Sequence, residues 1–216
     1  IVARHTKAKG YGTVIVISHD NGLSTVYGHM SAFTRVSSEP EPEASPVSEY
    51  RYGTRPSESE ILNKGVEIAK KLTSLLNITN LQAAAICGNL RRESSFAPNR
   101  IQGSGWRLGK LALNGKVGYG YAQWTYLTRQ EGLAEFAKSK GIDYLTQDLT
   151  DDVNIGFLVE ELTNGYKIKA LDKLKKSNNL REATNIILKH YEKPADQGES
   201  ALTKRTNYAQ EILDKL

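Results

Sequence analysis

The chain has 216 residues, of which 39% are hydrophobic and 25% charged, with a formal net charge of +5; this allows one or two domains and excludes global disorder. No run of about 18 apolar residues is present, which excludes an apolar helical membrane span, and Ile1 to Gly10 lacks the hydrophobic core of a signal peptide. The single cysteine, Cys87, excludes an intramolecular disulfide and a thiolate metal cage; in Ala84-Ala85-Ile86-Cys87 it reads as a small buried side chain.

The first predicted elements are strands. Gly12 to Ser18 and Leu23 to Tyr27 are rich in β-branched residues and flank His19-Asp20-Asn21-Gly22. Asn-Gly accepts the positive φ of a two-residue turn, so residues 1–35 are expected to hold a β-hairpin. Two strands alone are marginal in water and need a further surface. Residues 36–58 follow as a linker, with Pro40, Pro42, Pro46 and Pro56 interleaved with glutamates. Proline removes backbone donors, like charges extend the chain, and there is little apolar surface to offset the ordering entropy.

From residue 59 the period becomes helical. Ser57 and Glu60 form a predicted capping box ahead of a stripe through Ile61, Leu62, Val66, Ile68, Ala69, Leu72, Leu75 and Leu76; Thr79 and Gln82 form a second, opening a helix that runs to Glu93. Thr128 to Glu131 is expected to start a third helix, ending at Gly141, and Thr150 a fourth, through Val153, Phe157 and Leu162. Two more are expected through Ala183, Ile186, Ile187 and Tyr191, and through Leu202, Tyr208, Ala209 and Ile212. The glycine-rich stretch from Ala97 to Thr125 reads as loop with a short hairpin. The expected fold class is α+β and predominantly helical.

Glu93 stands out from its helix. Ile86, Asn89 and Leu90 share its face at 100° per residue, and that face is mostly apolar. A carboxyl so placed is partly desolvated and suited to keep a proton for general-acid work. Helix-end glutamates also pair with neighbours such as Arg91 or Arg92, and the local pattern leaves both roles open. From Ser94 to Gln130 there is no acidic residue, while Trp106, Tyr119, Tyr121, Trp124 and Tyr126 alternate with glycines and with Arg100, Arg107, Lys110, Lys116 and Arg129. Flat aromatic faces beside hydrogen-bonding groups suit sugar rings, and unpaired bases too. One carboxylate facing such a segment points to glycan cleavage with a single proton donor. The basic excess lies after Ser59 and suits an anionic polymer, either nucleic acid or bacterial cell wall.

At these residues the chain resembles a known family. Glu93-Ser94-Ser95-Phe96-Ala97-Pro98, with Gly118-Tyr-Gly-Tyr-Ala-Gln123-Trp124, is similar to the Glu-Ser and Gly-x-x-Gln signatures of goose-type lysozymes and lytic transglycosylases. The closer resemblance is to the phage tail lysozyme family, through Gly88-Asn-Leu-x-x-Glu-Ser94, Ala122-Gln-Trp-Thr125 with Arg129, Tyr191-Glu-Lys-Pro194 and Arg205-Thr-Asn-Tyr-Ala209. It covers residues 59–216 and implies a lysozyme-like fold with a small β element. It also implies cleavage of the β-1,4 bond between N-acetylmuramic acid and N-acetylglucosamine in peptidoglycan, with no cofactor and no metal. Carried over, Glu93 is the catalytic acid, Ser94 supports it, Tyr121, Gln123 and Trp124 line the sugar cleft, and Tyr191 orients Glu93. The implied setting is the virion, with a phage tail acting extracellularly on the wall, glycan strands as partner and other tail proteins as further partners.

A second carboxylate belongs about 5 Å from the acid in retaining enzymes and about 6.5–9.5 Å away in inverting ones. Glu131, Asp151 and Asp152 are the expected candidates. If none folds back, Glu93 alone would serve a lytic transglycosylase, with 1,6-anhydro products. A non-catalytic wall-binding tail module and a single-stranded nucleic-acid binder are the other classes weighed.

Gly10 to Ser31 resembles the central strands of lysostaphin-type zinc endopeptidases, in which His29 would be the catalytic histidine. The upstream ligands and the His-x-His pair are missing, and His5, His19 and His190 have no ligand spacing to it. The segment therefore reads as a truncated piece of such a domain.

Overall fold

The computed structural model describes backbone for residues 2–8, 12–18 and 24–30, and backbone with side chains for residues 54–216 apart from 104 and 107. The expected turn at His19 to Gly22, the side chain of His29 and residues 36–53 of the expected linker lie outside the described residues. The chain divides into two compact units, Ile1–Ser48 and Glu49–Leu216.

In the first unit three strands, not two, form an antiparallel meander: β1 (Val2–Ala8), β2 (Gly12–Ser18) and β3 (Ser24–Met30), in the order β1-β2-β3. Ile15 of β2 stands opposite His5 on one side and Tyr27 on the other, and a register shift interrupts the β2–β3 ladder between Thr13 and Ile15. β1 carries only Val2 and Thr6 as β-branched residues, so its own propensity gives little signal. Pairing with β2 makes it a strand.

The second unit is helical: α1 (Glu58–Leu76), α2 (Asn80–Ser94), α3 (Leu127–Ser139), α4 (Asp151–Thr163), α5 (Asp172–Leu174), α6 (Leu180–Ile187) and α7 (Glu199–Leu213). Both predicted capping boxes form. The Ser57 hydroxyl accepts from the Glu60 amide at 3.3 Å while Glu60 accepts from the Ser57 amide at 2.7 Å. Thr79 and Gln82 reciprocate at 3.3 and 3.0 Å. The α1 stripe buries Ile61, Ile68, Ala69, Leu72 and Leu76, whereas Leu75, expected on it, is exposed.

α2 is the central helix. It is buried almost all round from Gln82 to Arg91 and packs against α1, α6 and α7. Small residues make that possible, and Gly88 makes the closest approach. A Cβ there would meet the Arg205 carbonyl oxygen of α7 at 2.4 Å and the Ala209 Cβ at 2.7 Å. Gly88→Ala is therefore expected to push α7 away and lower stability by about 1–3 kcal/mol despite its better helix propensity. A thermal melt checks this; an unchanged midpoint would mean the helices part at no cost. Cys87 is buried in the same helix, and burial pushes its thiol up, so it packs as a neutral side chain.

One expected helix start needs correction, and two π-type turns add to the expected helices. α3 starts at Leu127 with Tyr126 as its uncapped N-terminal boundary, not at Thr128. Gln130 fixes this register: its buried amide accepts from the Asn114 and Gly115 amides at 3.1 and 3.0 Å and donates to the Val117 and Trp124 carbonyls at 2.8 and 3.0 Å. A helical turn at Lys167–Leu171, with π-type bonding, runs into α5 and was not expected, because its lysines mask the buried triplet Ala170, Leu171 and Leu174. α6 continues through a second π-type turn, Leu188–Glu192, ending at Lys193 with φ 51°. Single π-turns are uncommon and cluster at functional sites.

The glycine-rich segment supplies the small β element as isolated bridges, Arg100–Leu108, Ile101–Tyr119 and Tyr119–Trp124. Gly120 has φ +72° and leaves no room for a Cβ, which would lie 2.6 Å from Asn154 Oδ1. That oxygen accepts from the Tyr121 amide at 3.0 Å, tying the loop to α4.

Candidate active site

Glu93 lies in the last turn of α2, where the chain leaves the helix through two positive-φ residues, Ser95 and Phe96. Its side chain is 19% exposed, and Arg205 Nη2 of α7 donates to Oε1 at 2.5 Å. Among the described residues Oε2 makes no hydrogen bond. Neither expected arginine takes this place. Arg91 points the other way, to Glu58 and Glu211 at 2.9 and 2.7 Å, and Arg92 is exposed.

Glu93 faces a cavity of about 310 Å³. Arg92 lines it from α2, Arg100, Gln102 and Gln123 from the glycine-rich segment, Pro194 and Asp196 from the α6–α7 connection, and Lys204 and Arg205 from α7. Gln123 has φ 46° and is fixed by donating its side-chain amide to the Gly120 and Arg100 carbonyls at 2.8 and 3.2 Å. A second cavity, about 180 Å³, adjoins on Glu93, Arg92 and Arg100 and includes Ser94, Trp106 and Tyr208. The Arg100 guanidinium lies 3.9 Å from the centroid of the Trp106 ring.

Of the residues expected at the site, Glu93 and Gln123 meet on the large cavity. Ser94 is buried and donates to the Tyr121 carbonyl at 2.9 Å, pinning the loop beneath Glu93. Tyr121, Trp124 and Tyr191 do not line either cavity; all three are buried in the core. Their polar ends explain this. The Tyr121 hydroxyl donates to Asp151, while Trp124 Nε1 and the Tyr191 hydroxyl donate to Glu161 Oε2 at 2.7 and 2.6 Å. A buried ring whose single donor is met by a carboxylate is satisfied inside. The partly exposed aromatics on the cavity beside Glu93 are Trp106 and Tyr208.

The carboxylates expected to fold back do not reach the cavity. Asp151 is taken by Lys64 and Tyr121, Asp152 pairs with Lys71 at 2.8 Å, and Glu131 is exposed on α3. Asp196 is the other acidic residue on the cavity wall. Sequence reasoning also missed Arg205, although it opens the noted Arg-x-x-Tyr-Ala stretch, and Glu161, which no motif flagged. Glu161 holds a bidentate pair with Arg129, both contacts at 2.7 Å.

Glu192 was overlooked beside Tyr191. Its Oε1 is enclosed with no hydrogen-bond partner among the described residues. Burial and the charge of Glu93 push its carboxyl well above the usual range, against the opposing pull of Arg129 and Arg205. A raised folded-state value means the folded protein keeps the proton that the unfolded chain releases near pH 4.3. Stability from this group is therefore full below that pH and falls as pH rises, by at most about 1.4 kcal/mol per pH unit. The melting-temperature difference between Glu192→Gln and wild type is expected to grow in the variant's favour from pH 4 to pH 8. A pH-independent difference would contradict it.

A family model described as phage tail lysozyme matches residues 64–216, well over half of the chain. No curated protein matches. Members of such a family are peptidoglycan-degrading enzymes of phage tails, and the match spans Glu93, Gln123 and Arg205.

Proposed function

Because the chain belongs to the phage tail lysozyme family, we propose that it hydrolyses the β-1,4 bond between N-acetylmuramic acid and N-acetylglucosamine, with Glu93 as general acid, opening the wall locally during phage entry. The observation that supports this most is the setting of Glu93: one oxygen held by Arg205, the other without a hydrogen bond among the described residues, on the wall of a cavity that residues from α2, the glycine-rich segment and α7 line together.

In this reading residues 59–216 carry the reaction. A strand lies across the cavity with its scissile oxygen at Oε2 of Glu93; the protonated form of Glu93 gives that oxygen its proton as the bond to the anomeric carbon breaks, and Arg205 on Oε1 stabilises the carboxylate left behind. Asp196 is the candidate base for the attacking water, whose proton it takes as oxygen bonds to the anomeric carbon. One water is consumed for each bond cut. Gln123, fixed by its two backbone acceptors, is suited to hold a sugar substituent, and Trp106, backed by Arg100, offers the stacking face that Tyr121 and Trp124 do not. The lytic transglycosylase reading needs no Asp196, since the muramyl 6-hydroxyl replaces water.

Digestion of purified peptidoglycan in H₂¹⁸O separates the two. Hydrolysis is expected to give reducing muramic acid ends carrying one ¹⁸O, read by mass spectrometry. Unlabelled 1,6-anhydro ends would replace hydrolysis with transglycosylation.

A further inference from the structure

The cavity around Glu93 holds more positive charge than its ion pairs account for. Arg205 is matched by Glu93. Arg92, Arg100 and Lys204 line the same cavity, and among the described residues none of the three has an acidic partner. Asp196 is the one remaining carboxylate on the wall. Arg100 is the least accommodated: Nη1 is enclosed without an acceptor, while the guanidinium is stacked on Trp106. Burial and the nearby charge of Arg55 disfavour its cationic form. Converging cations at a partly enclosed site repel one another unless an anion enters. The stacked, planar guanidinium is pre-oriented for a carboxylate, which it can grip with two donors.

We infer that Arg92, Arg100 and Lys204 form a receptor for a carboxylate on the side chain of the substrate's muramic acid. The identity of the strand rests on the glycan-cleaving reading; the demand for an anion does not. In that reading the lactyl group and its stem peptide hang from the same sugar whose anomeric bond meets Glu93. The carboxylates of the stem peptide, or the lactyl carboxylate where the peptide is absent, are thus the anions nearest the scissile bond. The site then reads a wall strand by charge as well as by sugar, and a neutral glycan lacks half of what it offers.

The test is binding, measured by calorimetry on the full chain with teichoic-acid-free probes. Three are needed: peptide-bearing muramyl tetrasaccharide, the same glycan stripped of peptide so that the lactyl carboxylate is free, and either one with its carboxylates amidated. The charged probes are expected to bind roughly tenfold or more tightly than the amidated ones at low salt, since charge-assisted contacts are worth about 1.4 kcal/mol or more. That advantage should shrink as salt is raised. Whichever charged probe binds more tightly identifies the lactyl or the peptide carboxylate as the one held. The combined variant Arg92→Gln, Arg100→Gln, Lys204→Gln should lose the preference, and the wild-type comparison stands by itself if that variant does not fold. Equal affinity for charged and amidated probes would overturn the inference. Charge-selective binding without wall cleavage would sink the hydrolase reading and leave this one standing. Cleavage without charge preference would do the reverse.

Discussion

Glu93→Gln is expected to slow the release of soluble fragments from purified walls by about 10²–10⁴-fold or more, the range for loss of general-acid catalysis, with a sole acid at its upper end. The amide keeps the shape of the side chain and can still accept from Arg205 Nη2, but it has no proton to give. Because Glu93 is partly exposed and closes a helix rather than filling the core, the fold should survive, with a melting temperature within a few degrees of wild type. Rate and fold must be measured together. A rate loss with intact folding supports the acid role. An unchanged rate would assign the cavity to binding alone, as in a wall-binding tail module.

Glu161→Ala is expected to be the most damaging change to stability. Glu161 and Arg129 have side chains only 10% and 13% exposed, and the same carboxylate accepts from Trp124 and Tyr191. Removing it leaves a buried guanidinium uncompensated and two further donors without an acceptor, which together cost about 3–5 kcal/mol. Denaturant unfolding should show the midpoint falling accordingly, and Glu161→Gln, which keeps an acceptor but not the charge, should fall between. A loss below about 1 kcal/mol would mean that Arg129 finds water or another acceptor. Since Tyr191 adjoins Glu192 and Trp124 adjoins Gln123, the variant should also lose wall-cleaving activity beyond what the unfolded fraction explains.

These two residues show what could be read in the chain and what could not. Glu93 was legible because a helix end leaves a local record: the capping box at Thr79 sets the phase, and the phase puts Glu93 on the face of Ile86 and Leu90. The main helices carry such records, and the helical fold class followed from them. Glu161 left none. Its role depends on Arg129, Trp124 and Tyr191, which approach from other parts of the chain, and an acidic residue in an amphipathic helix gives no sign of whether it faces water or a buried arginine. Aromatic residues are ambiguous in the same way. Composition identified a segment rich in rings, but only packing decided that Tyr121 and Trp124 turn inward while Trp106 borders the cavity. Arg205 lies 112 residues beyond its partner, and the close approach at Gly88 that brings α7 to α2 is visible only in three dimensions. β1 became a strand through its neighbour rather than through its own residues.

The bond that is cut decides between muramidase action and its alternatives. Fragments released from purified walls by the wild-type chain can be reduced with borohydride and read by mass spectrometry, alongside an assay for newly exposed amino groups. New muramic acid termini, with stem peptides intact, are the predicted outcome. Reducing glucosamine ends, or freed amino groups with glycan strands left whole, would contradict it.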